Sequence, residues 1–249
     1  MKNNIENTNK EENKLKPDKS LLNLNSSFTI NEAYKAARTN LSFLLTEGNN
    51  VACFTSPLPG EGKTTTCANI AITFAQTNAS VLIVDVDMRK PTIHKLFGLP
   101  SKPGLTNILG GFCEIEDAIK HSIYPNLDIL TVGHIPPNPV ELIGSSQMSK
   151  LIKKLSFQYD YVFLDTPPVN IVTDVTVLSR LVSGVVLVTR QGITTTDSVK
   201  HAVENLSFVN ANILGFILND INIDKYDYKY SYRNKGKKQM YSYKYTYSE

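Results

Sequence analysis

Hydrophobic positions along the chain fall in short, β-branched runs separated by stretches of helical spacing. The runs "VACFTS" (51–56), "SVLIVDVD" (80–87), "LDILTVG" (127–133), "YDYVFLDTPP" (159–168), "SGVVLVTR" (183–190) and "NILGFILND" (212–220) read as strands. Helices are expected from about Lys63 to Gln76, around "PVELIGSSQMSKLIKKLS" (139–156) and over "TTDSVKHAVENLSFV" (195–209). Strands that are apolar on both faces and separated by helices belong to a parallel sheet covered on each side. The expected fold is therefore a three-layer, doubly wound α/β domain with a mostly parallel sheet. Ahead of it, "TINEAYKAARTNLSFLL" (29–45) places Ala33, Ala37, Leu41 and Leu44 at helical spacing, with Thr29 or Asn31 available as the N-cap. Residues 1–27 are rich in Asn, Lys and Glu and hold few apolar side chains, so a flexible leader is expected there, a domain over 28–223 and a flexible tail over 224–249.

Composition narrows the class. A chain of 249 residues with 41% hydrophobic and 20% charged content suits one α/β domain with tails. No apolar run approaches the roughly 18 to 20 residues needed to span a bilayer, and the start has no apolar stretch of the signal-peptide kind, so a cytoplasmic location is expected. Cys53, Cys67 and Cys113 show neither zinc-site spacing nor the even count of a disulfide framework. The net charge of +3 is unevenly spread: from Asp224 onward the tail carries about +4, which leaves the rest near −1. That balance argues against a large nucleic-acid-binding face on the body.

Between the first strand and its helix lies "SPLPGEGKTT", Ser56 to Thr65. Gly60 and Gly62 allow a tight turn whose N–H groups face phosphate oxygens beside the positive end of the helix. Pro59, Gly60, Glu61, Gly62, Lys63, Thr64 and Thr65 are thus the candidate nucleotide-binding residues, Lys63 along the β- and γ-phosphates and the Thr64 hydroxyl on Mg²⁺. Pro57 stands where the strict phosphate-loop pattern has its first glycine. Asp85 and Asp87 end the second strand and Asp165 ends another, so all three face the crevice at the carboxyl edge of the sheet. Lys63, Asp85, Asp87 and Asp165 are the candidate catalytic residues, and Thr64, Asp85 and Asp165 the candidate metal ligands. Asn219, at the end of the last strand, is a candidate contact for adenine or equally a strand-end turn residue.

These motifs, with "GHIPPNPVELIGSSQM" and "GVVLVTRQGITT", resemble the cytoplasmic bacterial tyrosine kinases, the capsular and exopolysaccharide-regulating autokinases of the CpsD/CapB/YwqD type. The resemblance covers about Phe28 to Ile223 plus the tail, and identifies Gly60–Thr65, Asp85 with Asp87, and Asp165 as Walker A, A′ and B motifs of a P-loop NTPase. It implies ATP and Mg²⁺, autophosphorylation between subunits of a ring-like homo-oligomer, a separate transmembrane adaptor of the polysaccharide co-polymerase type that holds the protein at the inner membrane face, and a protein-tyrosine phosphatase as counterpart. The family's E-x-x-R-x-x-R oligomerisation pattern reads here Glu32, Lys35, Arg38, with lysine replacing the planar arginine fork. Without the resemblance, these three residues are the wet face of an amphipathic helix.

The tail "YDYKYSYRNKGKKQMYSYKYTYSE" holds Tyr226, Tyr228, Tyr230, Tyr232, Tyr241, Tyr243, Tyr245 and Tyr247, each cluster spaced by two. An edge strand or an aromatic–cationic sticker for RNA or anionic lipid would use the same pattern. As autophosphorylation sites they need reach: about 25 flexible residues have an r.m.s. span of roughly 28 Å, enough to enter a neighbouring subunit's site. Two other classes share the P-loop, a dimeric switch ATPase with water as acceptor and a nucleotide-bound scaffold without transfer. The switch ATPases usually carry an additional lysine in the loop, and "SPLPG" has none.

Overall fold

Apolar strands with both faces covered set the architecture. The computed structural model describes residues 16–221. In chain order the elements are α1 (Phe28–Ser42), β1 (Val51–Thr55), α2 (Lys63–Ala75), β2 (Val81–Asp85), α3 (Ile93–Leu96), α4 (Leu105–Leu109), α5 (Ile115–Ala118), β3 (Ile119–His121), β4 (Leu127–Leu130) and α6 (Pro139–Ile143). There follow α7 (Ser146–Gln158), β5 (Tyr161–Asp165), α8 (Asp174–Leu178), β6 (Gly184–Arg190), α9 (Thr196–Phe208) and β7 (Ile213–Asn219). The sheet order is β3-β4-β2-β5-β1-β6-β7. All pairings are parallel except β3 with β4. This is the three-layer, doubly wound α/β fold with a mostly parallel sheet that the periodicity predicts.

Successive residues of each central strand point to opposite faces, and both sets are buried. Val81 and Ile83 join Phe54, Phe74 and Phe163 beneath α1 and α2. Leu82 and Val84 face the other way, into a core closed by Met148, Leu151, Ile152 and Leu155 of α7. A third cluster packs Ala202 and Leu206 of α9 on Val185 and Leu187 of β6. Phe163 meets Phe54 edge-on at 5.5 Å and Phe74 at 5.2 Å, geometries that aromatic quadrupoles favour. Among the described residues no helix is long and apolar enough to cross a membrane.

Several expectations need correction. The stretch expected as one helix around 139–156 is two, α6 and α7, interrupted at Gly144 and recapped by the Ser145 hydroxyl on Met148 N. The cap of α1 is Ser27, whose hydroxyl accepts from Ile30 N at 3.3 Å, not Thr29 or Asn31. Its packed face runs through Tyr34, Ala37 and Leu41, while Ala33 and Leu44 are exposed. The antiparallel edge strand β3 has too few residues to show a period.

The leader boundary at residue 27 also fails over 16–27. Leu21 and Leu22 are 1% and 2% exposed within the core under α1 and α2. Asn69 of α2 fixes them, its Oδ1 accepting from Leu22 N at 2.8 Å and its Nδ2 donating to Ser20 O at 3.0 Å. Two adjacent leucines in a polar stretch carry no periodicity, so pattern reading passes over them. Residues 1–15 and 222–249, with all eight tail tyrosines, lie outside the described residues. Leu21→Ala should lower unfolding stability by about 2–5 kcal/mol, measured by urea denaturation. A change below about 0.5 kcal/mol, as at an ordinary surface site, would contradict this packing.

Candidate nucleotide and phosphoryl-transfer site

Ser56–Thr65 turn between β1 and α2 at the carboxyl edge of the sheet. Gly60 and Gly62 have φ of +82° and +89°, a region that L side chains rarely adopt. A Cβ on Gly62 would lie 2.0 Å from Asn219 Nδ2. Asn219, at the end of β7, donates from that nitrogen to Glu61 O at 3.1 Å. The Glu61 side chain turns inward and is fully buried, accepting from Leu58 N at 2.8 Å and from the Thr194 hydroxyl. Arg190 Nη1 donates to Gly60 O at 3.1 Å. The loop is thus tied to the ends of β6 and β7, and its backbone shape is fixed before any ligand arrives.

Beneath the loop, the parallel pairing of β2 and β5 sets Asp85 directly beside Asp165. Asp165 Oδ2 accepts from the Thr64 hydroxyl at 2.8 Å. Lys63 Nζ lies 3.2 Å from Asp87 Oδ2 and 3.6 Å from Asp165 Oδ1. Asp87 Oδ1 accepts from Lys90 N at 2.9 Å. Asp85 spends both oxygens on the backbone, Oδ1 on Asp87 N at 3.2 Å and Oδ2 on Ile93 N at 3.1 Å. Asp85 therefore shapes the turn after β2, while Asp87 lines the crevice.

Burial pushes the Asp85 carboxyl well above the usual carboxylate range, Asp165 adds to the push, and the Ile93 N–H opposes it. Burial raises Asp165 as well, against the lowering pull of Lys63 and the Thr64 hydroxyl. For Lys63, burial acts downward, but Asp165, Asp87 and Asp85 overcome it and the net direction is up. The ammonium is held charged.

Over this floor opens a cavity of about 770 Å³. Gly60, Gly62, Lys63, Thr64 and Thr65 line one side, Asp87 the base, and Pro167, Pro168, Ile171 and Val172 an apolar wall. Pro59 is also on the lining, whereas the Glu61 side chain is not. The donor set fits Mg²⁺: Asp165 Oδ1 is buried with no hydrogen-bond partner, next to the Thr64 hydroxyl. Among the described residues no group of three or more His, Cys, Asp or Glu side chains could hold a metal by itself. An ion here would complete its shell with water and phosphate oxygens, as Mg²⁺ does.

Three positioning groups escaped the sequence reading. Thr194 and Arg190 hold the phosphate loop from the end of β6, and Arg89 grips the buried Asp174 of α8 through two contacts of 3.2 and 3.3 Å. "TRQGITT" and "DMRKP" show polar residues just past strand ends, but which partner each finds depends on the tertiary fold. Glu32, Lys35 and Arg38 do not form one outward set: Glu32 pairs with Lys35 at 2.8 Å, and Arg38 Nη1 donates inward to Thr73 O at 3.0 Å.

A glycine-hinged loop before α2, a lysine and hydroxyl at its end and an aspartate on an adjacent strand define a P-loop nucleotide-binding domain, a class to which nucleotide and Mg²⁺ binding belong. The AAA domain family matches residues 51–213. The tyrosine-protein kinase YwqD of Bacillus subtilis is 40% identical over 196 residues, 78% of this chain and 83% of that protein. Among solved structures, the chimerical protein CapA2B2 superposes with a TM-score of 0.77 at 38% identity over 83% of this chain and 92% of that one. The kinase domain of the Escherichia coli tyrosine kinase ETK gives 0.76 at 32% identity, with 86% of each chain covered. The chain belongs to the bacterial tyrosine-protein kinases.

The raised Asp85 carboxyl has a measurable consequence. Its folded form keeps a proton that the unfolded chain loses near 3.8. The resulting stability is fully present below that pH and lost as pH rises through the higher folded value. Asp85→Asn gives up one backbone acceptor at every pH but removes this loss. Its stability relative to the parent should therefore improve from pH 4.5 to 7.5 in urea unfolding without nucleotide, and parallel profiles would contradict the assignment.

Proposed function

We propose that this kinase transfers the γ-phosphoryl group of ATP to tyrosines of its own carboxyl-terminal cluster, the tail of one subunit serving as substrate of another. The observation that carries the reading is the shared cavity, where phosphate-binding backbone and Lys63 meet Asp87 and an apolar wall suited to a phenol ring. In the transfer, the bond between tyrosine Oη and the γ-phosphorus forms as the bond from that phosphorus to the β,γ-bridging oxygen breaks. ADP departs, and the phenolic proton passes to Asp87 late in the step, when the oxygen has become acidic. A loose transition state asks for alignment and charge neutralisation more than for a strong base.

Each residue then has a task. The loop amides and Lys63 hold the β- and γ-phosphates, and the Glu61, Thr194, Arg190 and Asn219 contacts keep those amides aimed. In this reading Asn219 also borders the adenine. Thr64 and Asp165 would hold Mg²⁺, which when bound neutralises charge on the phosphate oxygens. Pro167 and Pro168 exclude water from the acceptor side, which favours tyrosine over hydrolysis.

The reading extends to the cellular role. Control of capsular or exopolysaccharide biosynthesis, a transmembrane adaptor on a separate chain, inner-membrane location through that adaptor, and a dephosphorylating partner are all consistent with the family. Assembly through Glu32 and Lys35 would require their mutual ion pair to open towards a neighbour, and Arg38 to leave Thr73. Opening the exposed Glu32–Lys35 pair costs little.

After incubation with ATP and Mg²⁺, the intact mass should rise in steps of about 80 Da that map to residues 226–249, and Lys63→Ala should abolish them. ADP release without mass change, even with the adaptor's cytoplasmic segment present, would replace this reading with that of a water-directed switch ATPase.

A further inference from the structure

Beside the nucleotide cavity lies a second one of about 650 Å³. Lys90, Lys95, Lys102, His94 and His134 line it, and among the described residues no carboxylate does. The two cavities adjoin, since Lys90, Thr92 and Lys95 line both. None of the three lysines is ion-paired to a described residue. The lining of this cavity is therefore positive, whereas Asp18 and Asp87 line the neighbouring one.

The walls are built rather than loose. Thr131 Oγ1 donates to Ser101 O at 2.9 Å and Lys120 Nζ donates to Pro103 O, which fixes the main chain on both sides of Lys102. Thr106 Oγ1 bonds the carbonyls of Val132 and His134 at 3.0 and 2.8 Å, which fixes the opposite wall. Gly104 meets Gly133 so closely that a Cβ on it would lie 2.3 Å from Gly133 N. The His94 Nδ1 is buried and has no hydrogen-bond partner.

We infer that this basic cavity is a phosphotyrosine-reading subsite, which holds a phosphate already placed on the acceptor chain while the tyrosine two residues away enters the adjoining transfer site. Residues two apart in an extended chain point the same way about 6.6 Å apart, a step suited to two cavities that share a wall. The tail repeats tyrosine at that spacing, in Tyr226–Tyr232 and again in Tyr241–Tyr247. Each transfer would thereby create the handle for the next, with the lysine ammonium groups making charge-assisted hydrogen bonds to the phosphate. The inference rests on the tail-phosphorylation reading above and adds an order to it: modification spreads within a cluster from its first phosphate.

The test compares two peptides with the sequence of residues 226–232, one unmodified and one phosphorylated at Tyr228, binding to the full-length dephosphorylated protein without ATP. Fluorescence anisotropy should show the phosphopeptide binding about tenfold more tightly. Lys102→Ala/His134→Ala, which leaves the nucleotide cavity intact, should remove the preference and leave binding of the unmodified peptide unchanged. With ATP and Mg²⁺, early intact-mass spectra of the parent should show unmodified and multiply phosphorylated chains together, and the double variant a stepwise ladder. Equal affinity for the two peptides, or a preference that survives the double substitution, would overturn the subsite. Inorganic phosphate competing as well as the phosphopeptide would make it a general anion site and also overturn it. Absence of all transfer with the binding preference intact would refute the kinase reading instead.

Discussion

Three carboxylates share a buried floor with one lysine, and the site is organised around that imbalance. Strand pairing sets Asp85 against Asp165, and the turn after β2 brings Asp87 within 3.2 Å of Lys63. When all are ionised the group carries an excess of negative charge in a largely buried place, where like charges raise one another's pKa and a single ammonium cannot satisfy them. A divalent cation would bring the formal sum of the floor to zero. The phosphate loop above supplies backbone N–H groups and no acid faces the cavity from it, because the one acidic side chain there, Glu61, is turned under the loop and bound to Leu58 N and Thr194. Acid below and donors above leave between them the space a metal-bound polyphosphate would occupy.

That division of labour explains why so much of the chain serves the loop. Its ends belong to β1 and α2, yet its shape is held by residues more than a hundred positions later, Arg190, Thr194 and Asn219. The approach of Asn219 to Gly62 leaves no room for a side chain, so a glycine with positive φ is needed for two reasons at once. Strands β6 and β7 thus clamp the catalytic loop as well as extending the sheet, and a disturbance at their carboxyl ends reaches the phosphates directly.

Most of this was legible in the order of residues. The strands announced themselves because a two-sided apolar run cannot be solvated, and the loop glycines, Lys63, Thr64 and Asp165 fall where the sheet's carboxyl edge must place them. Asp85 and Asp87 were both read as catalytic, and Asp85 as a metal ligand, since sequence gives their positions but not their hydrogen bonds; the structure commits both Asp85 oxygens to the backbone and brings Asp87 to the cavity. Leu21 and Leu22 were missed because their partner, Asn69, lies on α2 and only tertiary packing reveals the contact. The basic cavity was invisible for the same reason: Lys90, Lys102 and His134 come from three separate loops and Lys95 from α3, with no shared motif. Arg38 was read as outward-facing, but the exposed tip that spacing assigns it is traded for the carbonyl of Thr73.

The central claim is that a phenol, not water, receives the γ-phosphoryl group. Its most direct test is the partition of label from γ-labelled ATP between acid-stable phosphotyrosine and inorganic phosphate during the first turnovers of the full-length protein. Label should go mainly to phosphotyrosine, and the inorganic fraction should grow when the tail tyrosines are replaced by phenylalanine. Label appearing as inorganic phosphate at the same rate in both proteins, with none on tyrosine, would contradict it.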